Sequence, residues 1–225
     1  MRPLLFRLTA VGLFAVCVLA VGPRASGFQL PEGGVKKFEL NGVIKAIRPG
    51  FIQFIASSGD VWVVQVDAKR TNTKVTGHAD PSWLRRGMFV EFENRFDRRG
   101  QPKTAVTALK IFTPTEKTQF GGTPLAERAT DIVPQGEPDT INLRVTGRLM
   151  NYKDDRITVM AGSTPVTVPL SPILAIAVEV ADYSLARPGD SIEVAGKYTR
   201  KGQGIADKVE IKGGAVFTAP KKQKR

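Results

Sequence analysis

Apolar and polar residues alternate most cleanly where Val166, Val168 and Leu170 are separated by Thr167 and Pro169. A period of two puts successive side chains on opposite faces of a strand. The period recurs earlier at Val61 and Val63, and the two stretches belong to a longer correspondence. With Gly42 set on Gly147, residues Ile52, Val61 and Val63 fall on Ile157, Val166 and Val168 at one offset of 105. Further on, Gly87, Val90, Glu91, Phe96, Arg98, Gly100 and Gln101 fall on Gly189, Ile192, Glu193, Tyr198, Arg200, Gly202 and Gln203 at an offset of 102. A difference in length separates these blocks, and length differences belong in loops. The chain reads as one module written twice.

Each copy predicts five strands, near residues 40–48, 51–56, 61–67, 87–96 and 104–112, then near 143–152, 155–161, 164–170, 189–198 and 205–212. Neither copy carries a convincing amphipathic helix. Turn residues agree with strands: Ser57-Ser58-Gly59-Asp60 separates two runs, and Gly100 and Gly202 stand where a hairpin needs positive φ. Between strands three and four the copies diverge. Residues 71–86 are polar and hold Pro81, Trp83 and the chain's one histidine, His78, whereas Leu174, Ile176, Val178 and Val180 alternate as an extra strand would.

A five-stranded sheet buries its inward face and loses its edges by closing. The expected fold is therefore all-β, two tandem five-stranded OB-like small barrels over residues 36–114 and 141–214. A linker over 115–140 joins them and a basic tail over 215–225 follows. Ile44, Ile52, Phe54, Val61, Val63, Val90, Phe92 and Leu109 would fill the first barrel. Leu149, Ile157, Val159, Val166, Val168, Leu170, Ile192, Val194 and Ile211 would fill the second. One two-layer sandwich built from both copies is the alternative.

The alternating strands, the Leu84-x-x-Gly87 turn before strand four and the Gly100-Gln101 hairpin before strand five together resemble the tandem small OB-like barrel repeats of uncharacterised exported bacterial proteins. Copy two departs from that pattern at Leu185-Ala186-Arg187-Pro188-Gly189. The resemblance implies a fold and an export route and carries no catalytic residues.

Export is also suggested by the first residues. Arg2 and Arg7 precede an apolar run from Leu8 to Val21, followed by Ala25-Ser26-Gly27, the order of a secretory signal peptide over residues 1–27. The run is shorter than the roughly 20 residues that span a bilayer. Bulky Val16 before Cys17 argues against a lipidated cysteine. Cleavage after Gly27 would release a secreted or periplasmic chain without cysteine, which excludes disulfides and thiol chemistry. Of the 33 Lys and Arg, the leader removes Arg2, Arg7 and Arg24, leaving 30 against 21 acids. A surplus of that size attracts polyanions or simply keeps a surface solvated.

Enzymatic signals are weak. His78 has no second histidine or cysteine to join it at a metal, and Asp154-Asp155 suits a turn. Glu91 and Glu193 are equivalent residues pointing outward, suited to cross-strand ion pairs. No catalytic residue, metal or cofactor is expected.

The binding signal is an asymmetry between copies. If Ala56 pairs with Val61 and Ile55 with Trp62, then Phe51, Ile55, Trp62, Val64 and Val66 share the outer face of strands two and three, where copy two has Arg156, Met160, Thr167, Pro169 and Ser171. OB-folds bind oligonucleotides or oligosaccharides on that face. The hairpin between strands four and five would add Arg95, Arg98, Arg99 and Lys103. Phe51, Trp62, Arg95, Arg98, Arg99 and Lys103 thus form the candidate ligand site. Two other readings stay open: the face packs against the second barrel or the linker, or copy one faces the other way, with Trp62 in the core and Gln65 outside. The expected function is a non-enzymatic binding or scaffold module of the periplasm or cell envelope. Its partner would be an acidic glycan or an envelope protein, or alternatively single-stranded nucleic acid.

Overall fold

The computed structural model describes residues 34–125 and 140–219. The leader assigned to residues 1–27 and the basic cluster at 221–225 lie outside the described residues. Twelve strands follow in chain order: β1 (Lys36–Arg48), β2 (Phe51–Ala56), β3 (Val61–Gln65), β4 (Asn72–Ala79), β5 (Phe89–Asp97), β6 (Val106–Phe112), β7 (Gly121–Pro124), β8 (Thr140–Lys153), β9 (Arg156–Ala161), β10 (Thr164–Val180), β11 (Ser191–Arg200) and β12 (Gln203–Lys212). The protein is all-β, as the alternation predicts, and contains a closed five-stranded barrel.

The barrel's strands come from both copies. β1 pairs with β2, β2 with β3, β3 with β12, β12 with β11, and β11 closes the ring on β1. Strands one to three of copy one are thus completed by strands four and five of copy two. The remaining strands make the same circuit in reverse partnership: β8, β9 and β10 of copy two pair onward to β6 and β5 of copy one, and β5 returns to β8. Residues 36–114 and 141–214 therefore do not divide into two separate barrels. Contacts gather the described residues into one unit.

β4 bridges the two rings. The polar stretch that reads as a loop forms this strand, because Val75 and Ala79 fall inward and its backbone finds partners on both sides. It runs parallel to β12 of the barrel and antiparallel to the end of β10, with Gly77 opposite Val178. The chain is carried out of the first ring before it can supply strand five there. Glu179 on β10 reinforces the seam, with Lys110 Nζ at 3.1 Å and Lys74 Nζ at 3.2 Å. These hydrogen bonds, Lys110's first, hold its carboxyl below the ordinary range.

Two equivalent loops complete the crossing. Asp80 accepts from the Ser82 N–H at 2.9 Å and Asp182 from the Ser184 N–H at 2.9 Å, each capping a short 3₁₀ turn, Pro81–Trp83 and Tyr183–Leu185. Gly87 and Gly189 follow with φ of +99° and +97°, a region that favours glycine. Each donates to the opposite copy: Gly87 N–H to Leu149 O and Gly189 N–H to Ile44 O, both at 2.8 Å. The Tyr183 hydroxyl also accepts from the Gly50 N–H, tying the loop of copy two to the β1–β2 turn of copy one.

The core contains most of the expected side chains in exchanged company. Val90, Phe92 and Leu109 line the second ring, whereas Ile192, Val194 and Ile211 line the first. Val61 and Val63 are corrections, being exposed, and Val166 is half-buried. Part of the assigned linker is structured, since β7 pairs with β8. Within the assigned tail Phe217 is buried: it stacks on Trp83 at 5.1 Å and bonds His78 O and the Asp80 N–H through its backbone. Its ring occupies the space a Cβ on Gly77 would need, 2.8 Å away.

Two outcomes follow from the exchange. Residues 34–114 and 139–219 produced separately are expected not to melt cooperatively as monomers, and to recover a cooperative transition when mixed in a 1:1 complex. A monomeric half that melts cooperatively, measured by circular dichroism and sedimentation, would contradict the exchange. Phe217→Ala is expected to cost about 3–5 kcal/mol in urea unfolding of the whole chain; an effect below 1 kcal/mol would mean that residue 217 does not pack on the seam.

Candidate functional site

The outward face of β1, β2, β3 and β12 is built by the β2–β3 hairpin. Its loop is one residue longer than its counterpart in copy two. Ala56 N–H donates to Asp60 O at 2.9 Å, Gly59 N–H to Ala56 O at 2.8 Å, and Gly59 has φ +86°. Ile55 therefore pairs with Val61 and Phe54 with Trp62, one step from the pairing expected. Copy two turns on Gly162 and Ser163 alone, with Ala161 opposite Thr164. Phe54 to Trp62 thus corresponds to Val159 to Val166, and the equivalence after the hairpin runs at 104 rather than 105. A one-residue slip exchanges the faces of a strand. Trp62, Val64 and Val66 go inside and Val61, Val63 and Gln65 outside.

Trp62 is consequently a core residue, 4% exposed. Its ring stacks on Phe38 with centroids 5.0 Å apart and meets Tyr198 edge-on at 5.5 Å, closing one end of the barrel. Its indole N–H has no acceptor among the described residues. Phe51 is 47% exposed, as expected.

The cationic hairpin goes elsewhere. Arg95, Arg98, Arg99 and Lys103 belong to the β5–β6 connection, which the exchange places on the second ring beside β8. There Arg95 Nε reaches Asn142 Oδ1 at 3.4 Å, and the turn is organised by Asp97, which accepts from the Arg99 and Gln101 N–H groups at 2.9 Å and faces Lys103 Nζ at 3.7 Å. The Gln101 N–H, first among these, holds the Asp97 carboxyl below its ordinary range. The six residues of the expected site do not share a face.

What the fold assembles instead is an aliphatic surface with a different basic hairpin. Val43 pairs with Ile55 and Ile55 with Val61, making one cross-strand row. Gln53, Val63 and Gln203 make the next, and Arg48, Phe51, Gln65 and Ile205 the third. Val43, Phe51, Ile55, Val61, Val63 and Ile205 are between 36% and 58% exposed, too open to belong to a core. Beside them the β11–β12 turn brings Arg200 and Lys201 from copy two. Gly202 O accepts from the Val63 N–H at 2.9 Å, and Lys201 Nζ lies 3.0 Å from Asp60 Oδ2. Lys201, then the Ser58 hydroxyl, keeps the Asp60 carboxyl below its ordinary range.

The equivalent positions of the second ring are Arg148, Arg156, Met160, Pro165, Thr167 and Lys103. Thr158 and Thr167 there share a hydroxyl contact of 3.0 Å across the strands. Among the described residues, the aliphatic patch thus has no counterpart at the equivalent positions of the second ring, whose outward rings Phe89, Phe112 and Phe120 cluster elsewhere. Sequence reasoning found the asymmetry through Phe51 and Ile55 and missed Val43, Val61, Val63 and Ile205. The mismatch of Gln65 with Leu170 was the signal that the hairpins differ in length.

Among the other residues with chemical potential, Glu193 pairs with Lys212 Nζ at 3.2 Å, while Glu91 accepts from the Thr146 hydroxyl at 3.4 Å on the other ring. Asp154 and Asp155 take φ of +52° and +53° at the β8–β9 turn. Among the described residues, no three His, Cys, Asp or Glu side chains gather around one point.

The two faces are separable by mutation. In a Trp83→Phe background, Trp62 is expected to emit at short wavelength and resist acrylamide quenching. Trp62→Ala is expected to cost about 3–5 kcal/mol, whereas Val61→Thr should stay within about 0.5 kcal/mol. Solvent-exposed Trp62 emission would reverse the facing described here. No protein-family model, curated protein or solved structure matches the chain, so the reading of this face rests on its geometry.

Proposed function

We propose that the chain is a non-enzymatic binding module of the periplasm or cell envelope whose barrel docks a protein partner on the outer face of β1, β2, β3 and β12. The observation that carries this reading is the contiguous aliphatic surface of Val43, Phe51, Ile55, Val61, Val63 and Ile205. Both rings need apolar inward residues to fold. Folding gives no reason for aliphatic residues at these outward positions, and exposed patches of this kind mark interaction surfaces.

The chemistry of the face selects the ligand class. Single-stranded nucleic acid needs successive aromatic planes for stacking. Here Phe51 is the one ring among the six residues, because Trp62 lies inside the barrel. β-branched side chains offer contact area without donors or planes, which suits the apolar centre of a protein interface. Lys45, Arg48, Arg200 and Lys201 surround it and favour a partner with an acidic periphery. The envelope location is supported by the basic, apolar and small-residue order of the first 27 residues.

A photo-crosslinking side chain at position 61, introduced in the native host, is expected to give a discrete protein adduct. The same group at position 167 should give none. Ile55→Asp should reduce the adduct about tenfold, the effect of losing one central interface residue. The polyanion alternative predicts the opposite pattern: no adduct, and retention on heparin or oligo-dT that falls steeply with salt and ignores Ile55→Asp.

A further inference from the structure

The aliphatic face runs into a groove of about 550 Å³ lined by Asn41, Val43, Ile55, Ser57, Ser191 and Glu193. At the equivalent place on the second ring stand Thr146, Arg148, Met160, Gly162, Phe89 and Glu91, and there the chain lays its own residues 120–124. β7 pairs antiparallel with β8, from Gly121 opposite Thr146 to Pro124 opposite Leu143. Leu125 N–H donates to Asn142 O at 3.0 Å, and the Phe120 ring lies 5.5 Å from that of Phe89.

The first barrel repeats the receiving half of this arrangement. Phe38, Glu39, Leu40 and Asn41 of β1 correspond to Leu143, Arg144, Val145 and Thr146. Their other flank is satisfied by β11. Among the described residues, no strand pairs with the flank that corresponds to the β7 side. There the Ser57 N–H donates to Asn41 O at 2.8 Å and the Ser57 hydroxyl to the same oxygen at 3.1 Å. Alternate residues of a strand direct their backbone groups to the same side, so the N–H and C=O of Lys37 and Glu39 face that flank as well. Lys37 corresponds to Asn142, whose carbonyl receives Leu125. Where Phe120 rests on Phe89 in the second ring, the first barrel has the small Ser191, and the groove there is bordered by the Glu193–Lys212 ion pair at 3.2 Å.

We propose that the β1 flank and this groove form a second β7-type site, which takes an extended peptide of a partner protein as an added antiparallel strand. Main-chain hydrogen bonds to Lys37 and Glu39 would supply affinity, and a large apolar residue over Ser191 would supply selectivity. A second copy of this chain is the poorer occupant, because its own residues 121–124 are already engaged on β8. A partner strand instead continues onto the aliphatic face, since Val43 and Ile55 belong to both surfaces. The inference takes its partner class from the docking reading but uses the β1 backbone and Ser191, which that reading does not use.

The probe is the blocked synthetic peptide of residues 118–125, Thr-Gln-Phe-Gly-Gly-Thr-Pro-Leu, titrated into the 15N-labelled protein. Amide shifts are expected at residues 37–41, 43, 55 and 191, saturating in the millimolar range or below. Replacing the peptide's Phe by Ala should weaken binding about tenfold, as for a central anchor residue. Glu39→Pro should abolish binding while leaving the second ring's spectrum intact, because edge strands tolerate proline. Ser191→Phe, which fills the groove and leaves β1 unchanged, should also abolish it and serves if Glu39→Pro does not fold. Val61→Asp should leave peptide binding unchanged, so the two readings fail separately. Absence of shifts at millimolar peptide, or shifts indifferent to both variants, would overturn the proposal. A concentration-dependent dimer of the protein alone, lost in Ser191→Phe, would overturn it in favour of a second copy.

Discussion

The arrangement of this protein depends on where β4 delivers the chain. This strand is bonded on one side to β12 of the first ring and on the other to β10 of the second, and so spans the seam across which each copy lends its last two strands to the other. The hydrogen bonds of Gly87 to Leu149 and of Gly189 to Ile44 secure the two deliveries symmetrically. Both need glycine because the turn requires positive φ on each side. Phe217 closes the seam by filling the space that Gly77 leaves.

That exchange also decides which surfaces become neighbours. The aliphatic outer face of copy one lies beside the hairpin of copy two, so Arg200 and Lys201 border it while Arg98 and Arg99 go with β5 to the second ring. The two rings are built from corresponding strands, and the differences between them lie mainly outside the core. Val43, Phe51 and Ile205 stand where the other ring has Arg148, Arg156 and Lys103, a hydrocarbon opposite a cation at each of the three positions. The β7 segment adds a fourth difference, since one ring covers its groove with residues 120–124 and the other presents Ser191 there.

The strand periodicity and many of the inward residues were legible in the sequence, although its pattern puts Trp62, Val64 and Val66 outside and Val61 and Val63 inside, the reverse of their burial. Ile52, Phe54, Leu149 and Ile157 had to be buried wherever their strands went, because alternation fixes a face without reference to a partner. The extra strand near Leu174 to Val180 was visible for the same reason. Its counterpart β4 was not, since Lys74, Thr76, Gly77 and His78 are tolerable in a strand only when neighbours satisfy its backbone on both sides.

The facing of β3 shows how narrowly local pattern can mislead. Both Val61-Val63 and Trp62-Val64 alternate, so either set could face inward, and one extra loop residue chose the second. Sequence alone determined that the chain is all-β and that the segment around Phe51 and Ile55 carries surplus apolar residues. Only the tertiary structure decided which copy completes each ring and therefore which residues meet at a surface. The physical reason is that strand patterns specify which side of a strand is apolar, whereas partner choice is a long-range matter of backbone hydrogen bonding. The two copies are similar enough that either could have satisfied it.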